Sequence, residues 1–166
     1  MATVRINEAN GAGQTITTNV ANTNMGSVDA SALDPVANPI VAGQNSFEKW
    51  QRIELVSLDG SSALRNLKIW RTGALGANAT HLTNARTSAY AGAATYATPT
   101  AATSSVATQT MPTTEPGTAN LGIGGALAGQ LAAPGSSDYL VHQIQTTASA
   151  TAGTTTTLNY QYDLIA

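Results

Sequence analysis

The fold of this chain is decided by residues 50–71, which read WQRIELVSLDGSSALRNLKIWR. Residues 50–58 are rich in β-branched and large apolar side chains, and residues 64–71 alternate apolar and polar positions with a period of two. Residues 59–62, Asp-Gly-Ser-Ser, form a turn-prone cluster between them. The apolar spacing would also permit a helix over residues 47–58. The composition and the Asp-Gly break favour two strands.

The C-terminal part predicts two further strands. Residues 138–147 have the composition of a strand, and residues 148–153 are small. Residues 158–164 alternate cleanly, so that the inward-facing positions are expected to be Leu158, Tyr160, Tyr162 and Leu164. Two long strands joined by a short turn predict an antiparallel hairpin. Because an isolated hairpin is marginal in water, we expect it to pack on the strands of residues 50–71.

Weaker strands are predicted at residues 2–7 and 14–18. Together these elements predict an all-β fold, an antiparallel β-sandwich of jelly-roll or immunoglobulin-like topology. A length of 166 residues favours a single domain spanning residues 1–166. The order of the strands in the two sheets is left open.

Two long segments lie outside these strands. Residues 1–46 are expected to form the N-terminal strand followed by an extended arm, because Asn, Gly, Ser, Asp and Pro are frequent in them. Residues 73–137 are expected to form a long low-charge loop region in which Arg86 and Glu115 are the only charged side chains. Low charge is unlike solvated disorder, and low bulk leaves little to bury. We therefore expect loops and short edge strands that are ordered mainly by neighbouring subunits.

The composition limits the classes of function. Charged residues make up 10% of the chain, the net charge is −2, and seven Lys and Arg cannot form a phosphate-binding stripe, so no nucleic-acid partner is expected. The chain has no Cys and no apolar run long enough to cross a membrane. Residues 1–8 show no secretory signal. A surface-type composition without export predicts a protein of a particle that is assembled in the host cytoplasm.

The residues that invite a chemical interpretation are isolated. His81 and His142 have no metal-ligand spacing, so structural or solvent-facing roles are expected, His81 in a loop and His142 within a strand. The glycine-rich residues 121–129 lack the spacing of a phosphate-binding loop. Asp59 and Asp163 flank strands, as turn and edge residues do. We therefore predict a non-enzymatic protein with no catalytic residues, no cofactor-binding residues, no metal site and no cofactor.

The two blocks of predicted strands, residues 50–71 and residues 139–163, carry a resemblance. The strand Tyr139-Leu140-Val141-His142-Gln143-Ile144-Gln145, a small turn and a final strand ending Leu158-Asn159-Tyr160-Gln161-Tyr162-Asp163 resemble the closing hairpin of small structural proteins of tailed phages. The resemblance implies a β-sandwich capsid decoration (cement) protein, or a related head or tail accessory protein. Its implied partners are the major capsid protein and further copies of the chain, as dimers or trimers. Its implied place is the outer capsid surface of the virion.

Two other functions remain open. A receptor- or carbohydrate-binding module of a phage tail fibre would need an exposed aromatic platform, for which Trp50, Trp70 and Tyr90 are the candidates. For Trp50 and Trp70 a place in the core or an interface is favoured, because the chain has few other bulky residues. A small β-fold enzyme acting on polysaccharide would need a carboxylate pair across a groove, and the spacing of Asp and Glu indicates none.

Overall fold

The computed structural model describes residues 1–85, 95–153 and 155–166, and in these ranges every regular element is a β-strand. The strands are β1 (Thr3–Asn10), β2 (Thr15–Thr17), β3 (Lys49–Ser57), β4 (Ala63–Thr72), β5 (Ala79–Thr83), β6 (Gln109–Thr110), β7 (Gln130–Leu131), β8 (Gly135–Ser136), β9 (Leu140–Thr146) and β10 (Thr157–Ile165). All pairings are antiparallel. The predicted all-β class is confirmed, and β3 replaces the alternative helix.

The strands form two sheets that pack as a sandwich. The large sheet has the order β2-β1-β3-β9-β5-β6, with β8 also paired to β3, and the small sheet has the order β10-β4-β7. The two sheets meet through the inward side chains of alternate positions in the long strands. This apolar core is formed by Ile53 and Leu55 of β3, Leu140 of β9, and Leu64, Leu67 and Ile69 of β4, all at most 1% exposed.

The opposite face of the large sheet carries a second apolar cluster. Trp50 lies at its centre, with 1% of its surface exposed, and makes edge-on contacts with the rings of Tyr96 and Tyr139 at 5.2 and 5.5 Å between centroids. Tyr96 and Ala107 of this cluster belong to the predicted loop region. The large sheet is therefore covered on both faces, by the small sheet and by loops.

The predicted C-terminal hairpin is wrong. β9 pairs with β3 and β5 in the large sheet, whereas β10 pairs with β4 in the small sheet. The reason is that β9 is buried on both faces, including His142 and Gln143 at 0% exposure, and its backbone is paired on both edges. β3 and β4, which are also consecutive, likewise belong to different sheets.

The alternation predicted for residues 158–164 is present in β10. Leu158, Tyr160 and Tyr162 pack against the sandwich core from a half-buried position. Leu164 lies at the end of the sheet and remains 39% exposed. The two predicted N-terminal strands are also present, as β1 and β2.

The arm between β2 and β3 is irregular, as expected, but it lies along its own sandwich. The Asp29 carboxylate accepts hydrogen bonds from Asn10 Nδ2 at 2.8 Å and from the Gly11 amide at 2.6 Å. The Lys49 ammonium donates to the Ala30 carbonyl. These bonds fasten the middle of the arm to β1 and β3.

The region of residues 73–137 contains more structure than the sequence suggested. It holds four strands, of which β5 lies inside the large sheet between β9 and β6. Met111 and Leu121 are buried in the apolar core at 1% and 2% exposure. The expectation that this region contributes little to the core is therefore corrected. Arg86 and Tyr90 lie outside the described residues.

Candidate functional site

A buried carboxylate fixes the loops that cover the large sheet. Glu48, 2% exposed, accepts hydrogen bonds from the Trp50 indole N–H at 3.0 Å and the Ser105 hydroxyl at 2.6 Å. It also accepts the backbone amides of Thr100 at 3.2 Å and Val106 at 3.1 Å. Charged hydrogen bonds of this kind are roughly twice as strong as neutral ones. One side chain at the start of β3 thus holds residues 100–106 in a defined conformation.

A buried amide fixes a second part of the same region. The Asn120 side chain accepts the Ile69 amide and donates to the Ile69 carbonyl, both at 2.8 Å. Its backbone N–H donates to the Leu67 carbonyl at 3.1 Å. Asn120 therefore acts as a strand partner on the side of β4 that faces away from β10. The backbone of β4 is satisfied there without a further long strand.

We call the described residues 95–137 the loop layer. Its exposed side chains are those of Ala, Thr, Ser, Gly, Gln and Pro, with Val106 and Glu115. Glu115 is the only charged residue in the layer, and it bonds Lys68 at 2.8 Å. The loop layer is therefore a nearly neutral surface of small side chains. Hydrogen bonds within the chain hold residues 100–106 and Asn120, which differs from the expectation that neighbouring subunits mainly order this region.

The outer edge of β10 is a second exposed feature. β10 is the terminal strand of the small sheet and pairs with β4 alone among the described residues. It is nine residues long, its residues are all half-buried or exposed, and Asp163 is its only charged side chain. The terminal strands of the large sheet, β2 and β6, have three and two residues. β10 is thus the long open edge of the sandwich.

The two histidines meet in the interior. His81 lies in β5, not in the loop predicted for it, and its Nε2 is 3.0 Å from His142 Nδ1 on β9. His81 is 3% exposed and His142 is 0% exposed. Burial, with the nearby Arg71 cation, lowers the pKa of His81 to about 3. Burial, with the neighbouring His81, lowers the pKa of His142 well below its usual value. Both rings are neutral at pH 7.

The histidines belong to a polar half of the space between the sheets. Lys49 and Glu8 form an ion pair at 2.9 Å with 1% of each side chain exposed. Gln51, also buried, accepts the Tyr160 hydroxyl at 2.5 Å, and burial raises the pKa of Tyr160 above its ordinary value. This interior is held by polar pairing, which the sequence did not indicate.

A cavity of about 370 Å³ adjoins this polar interior. It is lined by residues 20–25 and 155–158 together with Ile6, His81 and Tyr160. His81 Nδ1 has no hydrogen-bond partner among the described residues. The lining consists of hydroxyl, amide, phenol and neutral imidazole groups beside apolar ones. It carries no charge that would hold an ion.

Of the two tryptophans, one lies in the core and the other is partly exposed. Trp50 is buried, so it offers no platform for a sugar ring. Trp70 is partly exposed and lies on the outer face of the small sheet, opposite Asn159. Tyr90, the third candidate, is outside the described residues.

The glycine-rich residues 121–129 form a tight turn. Ile123 and Ala126 are bridged, and Gly124 and Gly125 have φ of 60° and 84°, where side chains are strained. The Gly125 amide donates to the Asp138 carboxylate at 3.1 Å. That amide is already bonded within the chain, so a structural turn explains this cluster of glycines.

Asp59 and Asp163 have separate structural contacts. Asp59 lies in the turn after β3 and contacts the N-terminal ammonium of Met1. Asp163 lies in β10 and accepts a hydrogen bond from Asn66 at 2.6 Å. Among the described residues no three His, Asp or Glu side chains gather as metal ligands would. No described helix is long and apolar enough to cross a membrane.

Comparison with known proteins gave no assignment. No family model matches the chain, and no curated protein or solved structure matches it either.

Sequence reasoning missed the residues that order these surfaces. Glu48 and Lys49 are adjacent charges in a chain with few charges, directly before its strongest strand. That placement was the available indication, because a charge at the border of a buried strand is almost always paired. Asn120 carried no comparable pattern.

Proposed function

We propose that this chain is a non-enzymatic structural protein of a tailed phage virion, and that it decorates the outer surface of the head shell. The observation that carries the proposal is the loop layer. It is nearly free of charge, built from small side chains, and bonded to the sandwich by Glu48 at residues 100–106 and by the Asn120 side chain at Ile69. A preformed neutral surface of this kind loses little conformational entropy when it docks.

The proposed partners are the major capsid protein and further copies of the chain. Small side chains let two backbones approach closely, and low charge avoids the desolvation of ions in the interface. Each contact is small. A shell displays the same docking site many times, so a protein that links neighbouring sites gains affinity from multivalency. The proposed effect on the shell is mechanical stabilisation.

The support from resemblance is narrower than the sequence suggested. The resemblance was drawn in part from a closing hairpin, and β9 and β10 are not paired with each other. The proposal therefore rests on the loop layer and on the composition. It does not rest on the connection between these strands.

The first test is the copy number of the chain in purified phage particles, measured by quantitative mass spectrometry. Hundreds of copies per particle are expected for a protein of the head shell. A handful of copies would place the chain in the tail, and absence from the particle would refute the proposal.

The second test is binding to undecorated shells of the same phage, measured by cosedimentation. Glu48→Ala releases residues 100–106 and is expected to weaken binding, whereas Glu54→Gln is the matched control. Glu54 lies in β3, six residues after Glu48, and its side chain bonds Arg5 at 2.7 Å and Asn7 at 2.5 Å on β1 instead of residues 100–106. Equal binding by both variants would exclude the loop layer as the docking surface.

A further inference from the structure

We propose that the open edge of β10 pairs with β10 of a second copy of this chain, antiparallel and about a two-fold axis at Gln161. This deepens the self-association that is part of the proposed function, since it names the strand and the register. The small sheets of two copies would then join into one continuous sheet through the pair of β10 strands.

The bonds that Asn120 makes with β4 show which backbone groups of β4 face β10. The N–H and C=O of Ile69 are bonded to Asn120, and the Leu67 carbonyl accepts the Asn120 amide. These residues therefore point their backbone groups away from β10. Because such groups alternate between the two sides of a strand, those of Lys68 and Trp70 point toward β10.

The register between β4 and β10 determines which backbone groups of β10 are turned to the open side. Lys68 is opposite Gln161 and Trp70 is opposite Asn159, so the backbone groups of Gln161 and Asn159 are turned toward β4. The same alternation turns the backbone groups of residues 158, 160 and 162 to the open side. Within the described residues no backbone bond to them from that side occurs. The edge is a row of unused donors and acceptors.

The sequence of β10 is nearly symmetric about its central residue. Residues 158–164 read LNYQYDL, which is the same in both directions except that Asn159 is matched by Asp163. Gln161 is the centre of this palindrome and also the midpoint of Thr157–Ile165. An antiparallel pair centred on Gln161 therefore overlaps over the full length of the strand.

This register matches side chains as well as backbone. Tyr160 meets Tyr162 of the second copy, and Leu158 meets Leu164, which is 39% exposed in the single chain. Asn159 faces Asp163 of the second copy, where an amide donor can meet a carboxylate acceptor. Opposite residues in antiparallel strands are the pairs that stabilise a sheet. An axis at Asp163 would instead place two carboxylates together.

The strand also lacks the usual protection of an edge. Lys, Pro and bulges normally block an open edge. β10 has no Lys and no Pro, and its one irregularity of pairing falls where Asn66 of β4, with φ of 56°, takes up the extra residue. β10 itself stays regular and can accept a partner.

The experiment is disulfide trapping in the purified chain without shells. The chain has no Cys, so single substitutions report single positions. Gln161→Cys places two thiols at the axis, where opposite Cα atoms of a pair without hydrogen bonds are about 4.5 Å apart. Asn159→Cys is the matched control, because residue 159 faces residue 163 and not itself. A mixture of Asn159→Cys and Asp163→Cys chains is expected to form the mixed dimer.

Cross-linking of Q161C and of the mixture, with little of N159C alone, is the expected result. Equal cross-linking of N159C and Q161C, or none in any sample, would overturn the proposed register. A failure here concerns β10 alone, whereas a failure of the proposed function would appear as lost binding of the chain to shells.

A charge exchange provides a second readout by sedimentation equilibrium. Asn159→Asp sets two carboxylates against each other twice per dimer and is expected to weaken dimerisation about fivefold or more. The double variant N159D/D163N restores the complementary pair and is expected to recover the wild-type constant. Each variant is first checked for an unchanged thermal unfolding profile. A wild-type chain that stays monomeric, or a double variant as weak as N159D, would refute the pairing.

Discussion

Acidification from pH 7.5 to pH 5 is expected to destabilise this protein through its two buried histidines. His81 and His142 lie in contact between the sheets and are neutral in the folded chain. Arg71, 8% exposed, acts on His81, and the buried ion pair of Lys49 and Glu8 lies in the same polar interior. None of these groups offers an imidazolium a free carboxylate.

The direction follows from proton binding. In the unfolded chain a histidine has a pKa of about 6.5, whereas the folded pKa of His81 is about 3 and that of His142 is well below 6.5. The unfolded state therefore binds more protons between these values, and stability falls as the pH drops below 6.5. At pH 5 the cost from His81 is about 2 kcal/mol, and His142 adds a further cost in the same direction. This is a large part of the ~5–15 kcal/mol that stabilises an ordinary domain.

The assay is urea unfolding at pH 7.5, 6.5, 5.5 and 5, followed by tryptophan fluorescence. Two substitutions, His81→Gln and His142→Asn, each remove one imidazole. The amide that replaces it can still hydrogen-bond across the contact but does not take up a proton in this pH range. Each single variant should show a smaller acid response than the wild-type chain, because one of the two imidazoles that take up protons on unfolding is gone. Glu54, whose pKa is lowered from 4.5 chiefly by its bond to Arg5, loses its contribution only below that value and stays outside this range.

Two results would refute this reasoning. One is a change of less than about 1 kcal/mol in the free energy of unfolding between pH 7.5 and pH 5, since His81 alone should cost about 2 kcal/mol. The other is a full acid response in the variant that lacks both histidines. Either result would mean that the imidazoles are protonated or hydrated in the folded chain.

Three further predictions concern buried polar contacts. Glu48→Ala should cost about 3 kcal/mol of stability, because it removes a charged acceptor of four hydrogen bonds. Limited proteolysis of this variant should then cut at residues 100–106, and an intact loop would contradict the prediction. Asn120→Ala should cost about 2 kcal/mol in chemical unfolding, because both backbone groups of Ile69 lose their partner, and a neutral effect would mean that water replaces the amide. Lys49→Met should cost about 3–5 kcal/mol of stability, because it leaves Glu8 buried without its partner. Adding Glu8→Gln should recover most of the lost stability in a double-mutant cycle, whereas additive losses would argue against the ion pair.

The strands that could be predicted are those with a local pattern. β4 and β10 were recognisable from their alternation and β3 from its composition, because both are properties of neighbouring residues in the sequence. β5 was missed, since its place in the sheet depends on β9 and β6 as neighbours and its sequence, Ala-Thr-His-Leu-Thr, shows no alternation of apolar and polar residues. The predicted pairing of β9 with β10 was wrong for the same reason, because the two strands belong to different sheets.

The candidate surfaces divide in a similar way. The low charge of the loop layer and the palindrome of residues 158–164 are properties of the sequence. That the layer is held by Glu48 and that the palindrome lies on an open edge are properties of the fold. A repeated or mirrored pattern acquires meaning only when the side of the strand that is free to pair is known.

The amino-acid order by itself determined that this protein is built from β-strands and that residues 73–137 carry only two charged side chains, Arg86 and Glu115. Both follow from composition and from the spacing of adjacent residues. Only the tertiary structure decided which strands share a sheet, why a polar half of the interior is stable, and which edge stays open. Those outcomes depend on groups such as Glu8 and Lys49, or His81 and His142, that are distant in the chain and acquire a partner only when the sheets close.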